Sequence, residues 1–328
     1  MLGKRLIKAN DIVTSLPAPE ISSLTYNSSR SYTGNGVVTG PYHHGYFYVA
    51  DGGTKLYIAS TNYDNHNDTQ YTLYTPYDFS TISILEQAVN RNYANHYNTS
   101  MFWKPDGTKY FMTGYTNGYG SGTNTIIMAT MSTPWDLSTA TIHQSDRPGG
   151  FAGHHANSIT FLEDGATWYS QSAISSSNTA TDLNTVVRQY SLSNPWDYSS
   201  TNSIVNTVDL KTVIPEYATG SYYGSSSSGT GWSDGHFTVH AGGSSAYLIT
   251  PRYVSGTYQE SKVWKMNMST PGDITTLSVE SSLIINGSIF TNAGATGHGN
   301  MQILEDGSLV VTARYGGSPW KFGFFVFD

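Results

Sequence analysis

The sequence predicts an all-β fold, a single β-propeller of about five four-stranded blades closed by an N-terminal strand. Three observations predict it: a recurring apolar strand–Asp-Gly–strand unit, a recurring Thr-Pro-aromatic-Asp turn after each unit, and period-two alternation within both. No long stretch has the 3.6-residue period of a helix.

The first unit reads YFYVADGGTKLYIAS at 46–60, MFWKPDGTKYFMTGY at 101–115, ITFLEDGATWYSQS at 159–172 and MQILEDGSLVVTARY at 301–315. A degenerate copy, FTVHAGGSSAYLIT at 237–250, has Gly-Gly in place of Asp-Gly. Asp-Gly between two alternating runs is a hairpin signal, because glycine accepts the positive φ that tight turns need. The second unit reads YTLYTPYD, MATMSTPWD, YSLSNPWD and MNMSTPGD, with Pro76, Pro134, Pro195 and Pro271 at its centre and a partial copy, GSPW, at 317–320. This spacing fits a four-stranded blade with long loops. Five hairpin turns give five blades. The fifth lacks an outer strand, which the segment Ile21–Tyr26 could supply, hiding an open edge. A six-blade ring that uses residues 20–45 is the rival arrangement. The domain division that follows is a propeller over 21–328 and an anchor or tail over 1–20, where Lys4, Arg5 and Lys8 lie.

Composition narrows the partners. Charged residues make up 12% of the chain and aromatic residues 13%, with 25 tyrosines, so the polar surface rests on Ser, Thr, Asn, Gly and tyrosine hydroxyls. Such a surface suits neutral glycans. With 16 basic residues and a net charge of −7, it does not suit a phosphate backbone. Cysteine is absent, which excludes disulfides and thiolate metal sites. No apolar run reaches the length of a membrane helix. Nor does an apolar segment of signal-peptide length follow the basic start, because Asn10, Asp11 and Ser15 interrupt it.

Propeller topology separates two faces. If the inner strand of each blade runs from top to bottom, the Asp-Gly and Pro-Trp-Asp turns share the bottom face. Their simplest role is structural: proline sets φ, aspartate caps, and the aromatic ring packs between blades. The top face differs. His43-His44, His96, His154-His155, His236 and His298 each precede or open an inner strand, and Asn98, Asn157 and Asn300 follow two places after a histidine. Tyr115, Arg252-Tyr253 and Arg314-Tyr315 end the second strands at the same rim, among long Gly/Ser/Asn loops. The ligand-binding set predicted there is His44, His96, Asn98, His155, Asn157, His236, His298, Asn300, Tyr115 and Tyr315. The histidines admit three readings: bracing between blades, contact with a ligand, or metal ligation. No H-E-x-x-H or similar motif supports the last, and no cofactor is expected. Acidic residues outside the bottom turns are Asp64, Asp68, Asp146, Asp182, Glu216, Asp234 and Glu260, and none forms a recognisable catalytic pair.

Two resemblances follow. Lys104-Pro105-Asp106-Gly107-Thr108-Lys109 and Ser132-Thr133-Pro134-Trp135-Asp136-Leu137-Ser138-Thr139-Ala140 resemble propeller repeats of bacteriophage virion proteins of the tail-fibre and decoration type. That resemblance covers roughly 44–328. It implies a virion structural protein, made in the host cytoplasm and displayed on the particle as a homo-oligomer. Such a protein would bind host-surface polysaccharide and contact other virion proteins through 1–20. The segment His154-His155-Ala156-Asn157, together with His298-Gly299-Asn300, is similar to BNR-repeat polysaccharide lyases. This second resemblance implies β-elimination at a uronate as the alternative, with His155 or Tyr253 taking the proton and Arg252, Arg314 and Asn side chains neutralising the carboxylate. The spacing departs from that family's contiguous pair, and the blades are too few.

Overall fold

The computed structural model describes residues 18, 20–32, 46–59, 67–83, 87–90, 96–116, 124–146, 154–156, 158–174, 186–200, 202–216, 231–232, 235–240, 242–254, 257–292, 295–315 and 321–328. Their strands form five antiparallel sheets, one per blade. Strand β1 (Tyr26–Tyr32) precedes the first blade, which holds β2 (Tyr46–Ala50), β3 (Lys55–Ala59), β4 (Asn67–Thr72) and β5 (Gln87–Asn90). The second holds β6 (His96–Trp103), β7 (Lys109–Thr116), β8 (Asn124–Met131) and β9 (Ala140–Asp146). In the third, the inner strand is split into β10 (His154–Ala156) and β11 (Thr160–Phe161), followed by β12 (Thr167–Ile174), β13 (Val186–Leu192) and β14 (Asn202–Asp209). The fourth is split likewise into β15 (Gly231–Trp232) and β16 (His236–Val239), then β17 (Ser245–Val254), β18 (Thr257–Met268) and β19 (Leu277–Asn286). A short helix α1 (Gly287–Asn292) leads to the fifth blade, β20 (Ala295–Ile303), β21 (Leu309–Tyr315) and β22 (Lys321–Phe327), whose outermost strand is β1.

The alternation in the sequence explains the ring. In β3, Leu56 and Ile58 point to one neighbouring blade and Tyr57 and Ala59 to the other. In β7, Tyr110 and Met112 face the first blade while Phe111 faces the third. Each second strand is therefore apolar on both faces, unlike a one-sided sheet. The buried side chains fall into five clusters, one at each blade-to-blade junction, including the junction between the fifth and first blades. Phe324 stacks on Phe79 at 4.9 Å and meets Phe47 edge-on at 5.4 Å, sealing that last junction. Each large apolar side chain so buried stabilises the fold by roughly 1.5–3 kcal/mol. The six-blade arrangement is excluded, and five is the observed number.

The turn face is built as one repeated device. The N–H of Trp135 donates to the Gly107 carbonyl at 3.0 Å, so the Pro-Trp turn hangs on the Asp-Gly turn of its own blade. A Cβ on Gly107 would lie 2.4 Å from the Trp135 ring, and Gly107 has φ +72°, so only glycine fits beneath that ring. Trp135 itself sits at φ 64°, as do Trp196 at 58° and Tyr77 at 60°, a left-handed conformation that the surrounding bonds hold in place. Asp136 then accepts from the Ser138 N–H at 2.9 Å and its hydroxyl at 2.6 Å, starting a turn of 3-10 helix at Leu137–Thr139. Neighbouring blades are bonded through the carbonyl of the left-handed residue. Tyr57 donates to Trp135 O at 2.7 Å, Lys109 to Trp196 O at 2.8 Å, and Tyr169 to Gly272 O at 2.6 Å.

Closure is by the N-terminal segment, but its strand is displaced from the expected position. The outer strand is Tyr26–Tyr32, and residues 20–25 rebuild the second half of a Pro-Trp-Asp turn in the fifth blade. Glu20 accepts from the Ser22 N–H at 3.0 Å as Asp136 does from Ser138, and Ile21 is fully buried as Leu137 is. The Leu24 N–H donates to Ile21 O at 3.2 Å, matching Ile82 to Phe79 at 3.3 Å in the first blade. The string Glu20-Ile21-Ser22-Ser23-Leu24 parallels Asp78-Phe79-Ser80-Thr81-Ile82, which is why it turns rather than extends. Of the proposed anchor 1–20, all but Ala18 and Glu20 lies outside the described residues. Glu20 is tied to the propeller through Lys265 at 3.3 Å and Ser281 at 2.8 Å.

Candidate functional site at the rim opposite the turns

Side chains of one blade's inner strand bond the inner strand of the next, which identifies these strands as the channel wall. Gln302 accepts from the Val49 N–H at 2.7 Å and donates to Val49 O at 3.0 Å, and the Ser100 hydroxyl accepts from the Ile159 N–H at 3.0 Å. Register then fixes the histidine backbones. His96 lies opposite Thr116, His155 opposite Ala173, His236 opposite Ile249 and His298 opposite Ala313. His96 and His155 stand toward the end of an inner strand remote from the turn, whereas His236 and His298 lie nearer the turn, further along their inner strands. The ends of the second strands reach the same level: Tyr115 pairs with Tyr97, Tyr315 with Ala295, Arg252 with Trp232 and Tyr253 with Gly231, while Arg314 ends β21 one residue before Tyr315. Backbone bulges between Asn98 and Ser100 and between Arg252 and Tyr253 re-aim these strand ends, a device common beside sites. His44 and Asn157 lie outside the described residues.

The structure treats the predicted residues unequally. Asn300 is buried and its side-chain oxygen accepts from the Met301 N–H at 3.2 Å, while its own N–H donates to the Thr312 hydroxyl at 2.8 Å. Counted back from the turn glycine, Asn300 shares its place in the blade with Ser100, Ser158 and His236. The Ser158 hydroxyl accepts from the Gln171 N–H at 3.0 Å, so three of these positions secure backbone amides. His236 is different. Its Nδ1 is buried without a hydrogen-bond partner, and burial pushes its pKa down to about 3, so the ring is neutral at ordinary pH.

Several of the described charged groups near this end are paired. Arg252 bonds Glu260 across the strands at 3.0 Å, and Lys262 reaches Glu216 while lying 5.3 Å from the centre of the Trp264 ring. Asp68 is buried and accepts from the Tyr110 hydroxyl at 2.9 Å. None of the strands β2, β6, β10, β11, β15, β16 or β20 carries an Asp or Glu. Among the described residues, no three His, Cys, Asp or Glu side chains converge as a metal site. Sequence reasoning missed the particular environment of His236. The signal was His236 standing where other blades place Ser or Asn.

No family model and no curated protein matches the chain. Solved structures share its fold. A thermostable family-43 glycoside hydrolase matches over 96% of this chain and 91% of its own, with TM-score 0.51 and 13% identity. An exo-β-1,3-galactanase from Phanerochaete chrysosporium, solved with galactose, matches over 93% of this chain and 64% of its own, with TM-score 0.50 and 13% identity. The expectation of a phage virion structural protein, with a lyase as its alternative, is corrected by these neighbours. They are carbohydrate-processing enzymes, and neither points to a particle or to uronate elimination. The motifs behind that expectation are turn chemistry required by the blade itself, so they specify a fold and not a source.

Proposed function

We propose that this propeller is a carbohydrate-processing protein that receives a neutral saccharide at the rim opposite its turn face. The observation that carries the reading is the register that places His96, His155, His236 and His298 on the inner strands of four successive blades. An imidazole in its neutral form, as His236 is, and a tyrosine hydroxyl each both donate and accept, matching sugar hydroxyls, and tyrosine rings offer apolar faces. The low charge of the chain favours neutral glycans over acidic ones. The fold neighbours support the same substrate class, one of them having been solved with galactose.

A second reading, binding without turnover, is favoured by the lack of carboxylates on the inner strands. Glycoside hydrolysis ordinarily uses two carboxyl groups about 5–10 Å apart. Incubation with galactan, arabinan and xylan, scored for released sugars and by calorimetry, separates the two. Released product establishes processing; heat of binding without product establishes the second reading. Neither signal on any of these glycans, or full binding by a variant with all four histidines changed to alanine, overturns the site.

A further inference from the structure

We infer that the outer edge of the fifth blade is a peptide-binding groove, and that residues 20–32 of a second copy of this chain can occupy it. The groove is a complete recognition surface. The outer edge of β22 pairs with β1 at Tyr26–Phe327, Asn27–Val326 and Tyr32–Phe324. At one end Lys265, bonded to Glu280 at 3.0 Å, receives Glu20, and Ile21 fills an apolar socket made by Tyr247, Ile249, Val263, Phe325 and Phe327. At the other end Arg30 donates to Asp306 at 2.7 Å, to Asp328 at 2.5 Å and to the Tyr77 carbonyl at 2.9 Å.

Every one of these partners except Tyr77 lies more than 220 positions along the chain, so the groove reads the segment as it would read a separate peptide. Strand addition gives affinity through main-chain bonds, and the acidic, apolar and guanidinium anchors give register and direction. The occupant is specified by charge: a carboxylate meets Lys265, and ten residues later a cation meets Asp306 and Asp328. The resident segment competes at an effective concentration on the order of millimolar. Monomers therefore dominate in dilute solution, and exchange between copies emerges when protein approaches about that concentration.

A fluorescent peptide with the sequence of 20–32 is titrated into the full-length chain and into full-length Arg30→Ala/Glu20→Gln, which weakens only the resident strand. The expected result is at least ten-fold tighter binding to the double variant, lost again when the peptide itself carries Arg30→Ala. A folded double variant that binds the peptide no better than the parent overturns the inference. If the double variant does not fold, hydrogen exchange on the unmodified protein decides. The inference then requires the amides of β1 and Val326 to exchange ahead of those of β7 and β12, and exchange only with global unfolding overturns it.

Discussion

The turn face and the opposite rim of this ring obey different rules. On the turn face, the same bonds recur from blade to blade: a left-handed aromatic over a glycine, an aspartate cap, and a neighbour's side chain on the freed carbonyl. Each residue there is explained by what it does for the fold. On the rim, equivalent positions differ, with Ser100, Ser158 and Asn300 holding amides while His236 leaves Nδ1 without a partner. Where a scaffold repeats, variation at one place in the repeat marks residues freed for another purpose.

Four perturbations sharpen that contrast, ordered by expected effect. Trp135→Ala removes the ring that covers Gly107 and packs 5.4 Å from Trp103. It should cost about 3–5 kcal/mol, read as a lowered urea midpoint. Asp136→Ala removes the cap on Ser138 and should cost about 1 kcal/mol by the same measurement. A third perturbation is acidity. His236 is held at about 3 when folded against an ordinary 6.5, so between these values the unfolded chain binds the extra proton and stability falls as pH falls. His236→Gln should flatten the urea midpoint between pH 6.5 and 5. Below about 4.5, loss of the Glu20 contacts takes over, because that carboxyl is held near 2 and its stabilisation fades as pH falls toward that value. The smallest effect is expected from His96→Ala, at the start of β6, and His298→Ala, within β20. Each should change stability by less than about 0.5 kcal/mol while weakening saccharide binding in calorimetry. A large loss of stability at either position would make the rim as structural as the turn face.

The ring was legible in the sequence because its determinants are local. Asp-Gly needs positive φ, Pro-Trp-Asp needs a cap, and Tyr57, Phe111 and Tyr169 follow their turns by a fixed count. The closing strand was misplaced by several residues because Ile21 looks like the start of an apolar strand. Its resemblance to Leu137 depends on Glu20 replacing aspartate as the cap. The rim was legible as a position only. That histidines fall on the inner strands follows from topology, but that the His236 Nδ1 lacks a partner depends on neighbours distant in sequence, and no local pattern encodes that. The function inferred from repeat resemblance failed for the same reason: the motifs that were easiest to read belong to the scaffold.

Every second strand divides its side chains between two junctions, and the circle of five apolar clusters has neither a first nor a last member. In a linear array, melting can begin at a terminal repeat and travel inward. Here a defect anywhere is shared by both flanking seams, so denaturation should be a single concerted step with one calorimetric peak.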